Sequence, residues 1–261
     1  MSTDASENQI PNLDADIAAN IQDVKSKIKD VLLENNLPED SVRLVAVSKT
    51  KPIPHLMAAY NTGQRHFGEN YAQELLSKAE EMPKDIKWHF IGPLQSNKAN
   101  ALVKGLGLDK LACVETVSTL KLANKLSNAV KSLKEETHTD DSTNISKLGI
   151  YIQVNTSGED TKSGVSSVSE TVELVKEIVN SECNEHLSID GLMTIGAPGD
   201  FTCFEMLVEC RKAVAEELGV EESSLALSMG MSGDFEEAIK RGATSVRVGS
   251  TIFGARDYSK K

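Results

Sequence analysis

Apolar positions recur along this chain with two periods. Ile17, Ile21, Val24, Ile28 and Val31 fall three and four residues apart, the spacing of one helix face, and Asn35-Asn36 marks where that helix should stop. From residue 43 onward, short apolar runs alternate with amphipathic stretches. The pattern predicts strands over 43–48, 65–68, 88–91, 111–116, 149–155, 189–195, 225–229 and 246–249. Helices are predicted over 53–61, 72–81, after Gln95, over 118–134, 169–180, 201–218 and 235–241, with a short turn over 252–255. A strand-then-helix rhythm implies a parallel sheet with crossover helices. Eight such units point to an α/β fold, a single closed (β/α)8 TIM barrel with an extra N-terminal helix; an open doubly wound sheet is the alternative. Residues 1–13 read as a disordered tail and 14–261 as a single barrel domain, with a polar surface loop over 134–144 (KEETHTDDSTN).

The length of 261 residues suits one barrel of this kind. Composition is that of an ordinary globular protein, 39% hydrophobic and 26% charged, so a sizeable core can form. The net charge of −11 excludes nucleic acid or an anionic membrane as the main partner. An anionic ligand would need a local positive site. Cys113, Cys183, Cys203 and Cys210 form no CxxC pair and are expected as free thiols, with Cys203 and Cys210 on one core face. The first sixteen residues hold no apolar h-region and no Arg, so no leader is expected, and no apolar run nears the length needed to span a bilayer. A cytoplasmic location is expected, with a nuclear one left open. The sequons at Asn144 and Asn155 are then chance matches.

In such a barrel the carboxyl ends of the strands form the active face. Lys49 ends the apolar run Val45-Ala46-Val47-Ser48. Apolar walls would disfavour its charged form and leave an amine able to attack a carbonyl; the plain alternative is a solvated strand end. Small and hydroxylated residues crowd the last two strand ends: Ser228 and Met229, then Gly249, Ser250 and Thr251. Gly249 admits a close anion, Ser250 and Thr251 can open a helix toward it, and Ser228 can add a hydroxyl, whereas singly these would be N-caps and turn residues. Arg247 stands between them, with an ion pair to a mouth carboxylate such as Glu69 as its structural alternative. Other motifs fail. Residues 158–163 (GEDTKS) lack the glycine before lysine that a P-loop needs, no GxGxxG follows the first strand, and five scattered histidines indicate no metal site. His89 reads as a satisfied core histidine.

A Schiff-base lysine, a phosphate cradle and an arginine at one mouth suggest pyridoxal 5'-phosphate (PLP), with Arg247 at the ring nitrogen. An always-protonated donor there would keep that nitrogen unprotonated and weaken the ring as an electron sink. The runs VSKTKP (47–52), FGENYAQE (67–74), WHFIGPLQSNK (88–98), GLMTIG (191–196) and LSMGMSGDFEEAIKRGATSVRVGSTIFGAR (227–256) resemble the PLP homeostasis protein family over about 43–258. That resemblance implies a barrel similar to the N-terminal domain of alanine racemase, a Schiff base on Lys49, ring contacts from Asn70 and Arg247, and phosphate contacts around Ser228, Met229, Gly249 and Ser250. It also implies a protein that holds PLP, with PLP-requiring apo-enzymes as partners, no catalytic residue assigned and a monomer expected. A racemase-like enzyme is the alternative, disfavoured because the second acid/base of alanine racemase comes from a further domain not seen in this sequence. A cofactor-free Schiff-base aldolase is a weaker third reading.

Overall fold

The computed structural model describes residues 13–137 and 147–255. Almost all of the expected tail and most of the 134–144 loop lie outside these residues. Lys134 to Thr137 complete a helix instead of opening that loop.

Ile17, Ile21, Val24, Ile28 and Val31 are all buried along one face of α1 (Leu13–Glu34). Strands β1 (Arg43–Val47), β2 (His66–Glu69), β3 (Lys87–Phe90), β4 (Leu111–Val117), β5 (Leu148–Gln153), β6 (Leu187–Met193), β7 (Ala226–Met231) and β8 (Ser245–Val248) follow in order, all parallel. β8 returns to β1, with Arg43 opposite Ser245 and Ala46 opposite Val248, which closes the barrel. The intervening helices are α2 (Ile53–Asn61), α3 (Ala72–Glu81), α4 (Ala99–Lys110), α5 (Leu120–Thr137), α6 (Val168–Val179), α7 (Thr202–Leu218) and α8 (Phe235–Lys240). The short α9 (Ser250–Phe253) follows β8. α1 packs on α2, α8 and α9, and Asn20 Nδ2 donates to the carbonyl of Ile252 at 3.0 Å.

Successive strand residues face opposite sides. Leu44, Ala46, Phe67, Trp88, Phe90, Val114, Leu227, Val246 and Val248 join the core between sheet and helices. The other face fills the barrel. Barrels of this type usually stack Val, Ile and Leu there. Here His66, His89, Cys113, Glu115, Ser228 and Arg247 contact one another in the interior, beside a small cluster of Cys113, Tyr151 and Met193.

Three strand ends differ from the sequence pattern by two residues, for local reasons. β5 and β6 each end two residues early. Val154 also bridges Val165, and Thr194 turns its hydroxyl onto the Val154 carbonyl at 2.9 Å. β7 runs two residues longer, through Gly230 at φ 88°, where the β7–β8 register shifts. Cys203 and Cys210 are both buried on α7, and all four cysteines are free and buried. Among the described residues no helix is long and apolar enough to cross a membrane.

Candidate functional site

At the carboxyl end of the barrel a cavity of about 320 Å³ opens to solvent, at the low end of small-molecule sites, which run from about 300 to 1,000 Å³. Its walls are Val47, Ile91 and Met231; its polar lining includes Lys49, Arg247, Ser232, Gly249 and Ser250. Four of the seven residues singled out from sequence therefore share one cavity.

Lys49 follows β1 on the barrel side, half-buried, two residues beyond the cavity-lining Val47. Arg247 is buried in β8 and rigidly held: one Nη donates to Ser228 Oγ at 2.6 Å and the other to the Thr194 carbonyl at 2.7 Å. Burial draws the guanidinium pKa downward, and Glu115 and Asp234 oppose that pull.

Ser228 is fully buried and is not among the residues lining the cavity. Its hydroxyl donates to Glu115 Oε2 at 2.6 Å while accepting from Arg247, so it joins a cation to an anion beneath the cavity. Met229 faces outward into the helix-side core. Asn70 lines a neighbouring pocket with Tyr71, Pro93 and Leu94, and its Oδ1 is buried with no hydrogen-bond partner.

Ser232 was not singled out from sequence, yet it lines the cavity beside Gly249 and Ser250. Its Oγ accepts from the amides of Gly249 at 3.1 Å and Thr251 at 3.4 Å, at the start of α9. Two backbone N–H groups converging on one oxygen are an arrangement that an anion oxygen also suits. A Cβ on Gly249 would come within 3.2 Å of the Val47 carbonyl oxygen, so a larger residue there would press β8 against β1.

Glu69 does not pair with Arg247. It faces α3, where burial pushes its carboxyl upward against the pull of Lys78. The acid belonging to Arg247 is Glu115, fully buried in β4. Burial pushes this carboxyl up, but hydrogen bonds and charge from His89, the charge of Arg247 and the Ser228 hydroxyl outweigh it, and its pKa falls below the usual range. His89 Nδ1 bonds Glu115 Oε1 at 2.7 Å, and His89 Nε2 meets His66 Nδ1 at 2.9 Å. A carboxylate can only accept, so His89 Nδ1 donates to Glu115. His89, Cys113 and Glu115 place donor atoms within 4.8 Å of one another, a metal-like grouping, but those atoms are bonded to each other, with Cys113 Sγ 3.1 Å from His89 Nδ1. A glutamate midway along an apolar strand gave no sequence signal for this role; its neighbours come from β3, β7 and β8.

The family model described as alanine racemase, N-terminal domain, matches residues 15–257. A Caenorhabditis elegans protein named pyridoxal phosphate homeostasis protein is 46% identical over 228 residues, covering 84% of this chain and 88% of that protein. A human protein of the same name is 43% identical over 238 residues, covering 87% and 81%. Among solved structures, PipY of Synechococcus elongatus with PLP bound aligns with a TM-score of 0.67 and 30% identity, covering 91% of this chain and 100% of that one.

Proposed function

Since the chain belongs to the pyridoxal phosphate homeostasis proteins, within the alanine racemase N-terminal domain family, we propose that it holds PLP in the cavity at the barrel mouth and serves PLP homeostasis. The observation that carries this reading is the meeting, on one cavity, of Lys49, Arg247 and the Gly249–Ser250 backbone. The residues fit the group. Lys49 supplies the amine, Arg247 a fixed donor for the ring, and the α9 amides with Ser232 and Ser250 a set of donors for a phosphate. Asn70 Oδ1 supplies a buried acceptor at the edge of the mouth that still lacks a donor. When bound, PLP would supply an aldehyde, and Lys49 is the residue whose amine would hold it.

The protein's own contribution is positional. Arg247 is held by the Thr194 carbonyl and by Ser228, which is itself held by Glu115, so the guanidinium cannot follow the ligand. Val47, Ile91 and Met231 give the cavity apolar walls. With a fixed cation at the ring, the site favours retention over carbanion chemistry. PLP-requiring apo-enzymes are the proposed recipients.

The test is spectroscopic. Purified chain mixed with PLP should develop a visible band, and borohydride should fix PLP on the peptide containing Lys49. Lys49→Ala should abolish both. A protein that stays colourless with added PLP overturns the reading. Transfer of the reading to an amino-acid racemase would require rapid α-proton exchange from amino acids in deuterated water, at the rates of about 1–10³ s⁻¹ typical of enzymes.

A further inference from the structure

The turn bearing Lys49 is gripped from outside the barrel by α3. Ser48 faces away from the cavity and is fully buried; its hydroxyl donates to Glu69 Oε1 at 2.7 Å. Its carbonyl accepts from Lys78 Nζ at 2.8 Å. The same ammonium donates to Glu69 Oε1 and to Glu74 Oε1, each at 2.6 Å. Those three acceptors use all three of its N–H groups. Glu74 Oε1 in turn accepts the backbone N–H of Thr50 at 2.6 Å.

Thr50 is at φ 64°. A β-branched residue rarely adopts this left-handed backbone, and such strain persists only where the surroundings over-determine it. Lys49 therefore stands between a residue whose carbonyl Lys78 holds and a residue whose amide Glu74 holds. A Glu and Lys four apart on a helix are usually a solvated pair of little consequence. Here the Lys78 side chain is only 7% exposed and is turned under the strand end.

We propose that Lys78, through Glu69 and Glu74, is the positioning residue for Lys49, holding the strained turn that presents the Lys49 amine to the cavity. This inference rests on the PLP reading of that cavity. Without the clamp, Thr50 returns to negative φ, and the rotation of the peptide between Lys49 and Thr50 carries the lysine off its line.

The experiment uses the full chain with two readouts, one of them independent of PLP. Amide hydrogen exchange at Thr50 in the apo-protein should be at least about tenfold faster in Lys78→Met, because its acceptor is no longer anchored. The rate of band formation with PLP, and the yield fixed by borohydride on Lys49, should fall by about tenfold or more, the scale on which small misplacements act. Glu74→Ala, at a site whose side chain is 25% exposed, should reproduce the faster Thr50 exchange with the fold intact. Thr50→Gly removes the strain, so adding Lys78→Met to it should change Lys49 reactivity little. A purely structural role predicts instead an equal Lys78→Met effect with and without Thr50→Gly, and that result overturns the proposal. So does wild-type exchange at Thr50 in both clamp variants. A wild-type chain that takes up no PLP would sink the reading of the cavity, and Thr50 exchange would still decide the clamp.

Discussion

Glu115 and Glu69 carry the same carboxyl group with pKa shifts of opposite sign. Both are buried, but Glu115 meets His89, Ser228 and Arg247 and is held ionised, whereas Glu69 has only one oxygen engaged and is pushed toward its neutral form. Replacing one member of a buried ionic set leaves the others unpaired. Glu115→Gln should therefore cost about 3–5 kcal/mol in denaturant unfolding. Arg247→Glu places two carboxylates against Ser228 and should weaken PLP retention as well as stability; unchanged affinity and spectrum would confine Arg247 to a structural role. Lys49 and Arg247 were legible because each ends or nearly ends an apolar strand within a distinctive run of residues. Glu115 was not. In Leu-Ala-Cys-Val-Glu-Thr-Val a glutamate reads as a solvent-side position, and only the curvature of a closed sheet turns that position inward.

At the scale of elements, the mouth depends on where strands stop. Gly230 takes φ 88°, and a Cβ there would lie 2.6 Å from Ala238 Cβ and 2.9 Å from Phe235 Cα. This glycine lets α8 press against the end of β7 and creates the register shift that delivers Met231 and Ser232 to the cavity. Gly230→Ala should destabilise by about 1–3 kcal/mol for the backbone strain alone. It should also loosen the Gly249 and Thr251 amides from Ser232, seen as faster exchange at both. α1 serves a different end of the problem. Its apolar face closes the helical ring across α2, α8 and α9, so Ile21→Ala should cost about 2–5 kcal/mol in unfolding while leaving the PLP spectrum unchanged. The periodicity of α1 was plain in sequence, as its heptad-like spacing shows. The bulge was hidden, because Ser-Met-Gly-Met-Ser also reads as an ordinary turn.

Taken whole, the molecule carries a polar thread through its barrel. From Arg247 at the mouth, Ser228, Glu115, His89 and His66 connect in sequence toward the opposite end, where His66 lines a second pocket with Arg43 and Arg65. Burial, then the nearby charges of His89, Arg43 and Lys87, push the His66 pKa down to about 3. A histidine kept neutral when folded takes its proton only on unfolding, so this stabilisation is present above the unfolded pKa of about 6.5 and is lost as pH falls toward about 3. Glu115, also depressed, adds a loss of the same sign at the acid end of that window. Unfolding free energy measured from pH 7 to pH 4 should fall, and His66→Gln should flatten the fall below about pH 6.5. An unchanged slope in that variant would place the acid sensitivity elsewhere.

The sequence by itself determined the architecture and the kind of ligand. The alternation of strand and helix requires a parallel sheet, eight repeats favour closure, and Lys49, Arg247, Gly249 and Ser250 carry their chemistry wherever strand ends converge. Local patterns can settle these points because periodicity and strand termini are local properties of the chain. The tertiary structure alone decided what holds those residues in place. Ser228 links Arg247 to Glu115, Ser232 meets the Gly249 and Thr251 amides, Glu115 is the counter-charge, and Lys78 lies under the Lys49 turn. Each of these depends on which strand lies beside which and on which face turns inward. Barrel closure sets both, by bringing together residues that no spacing along the chain relates.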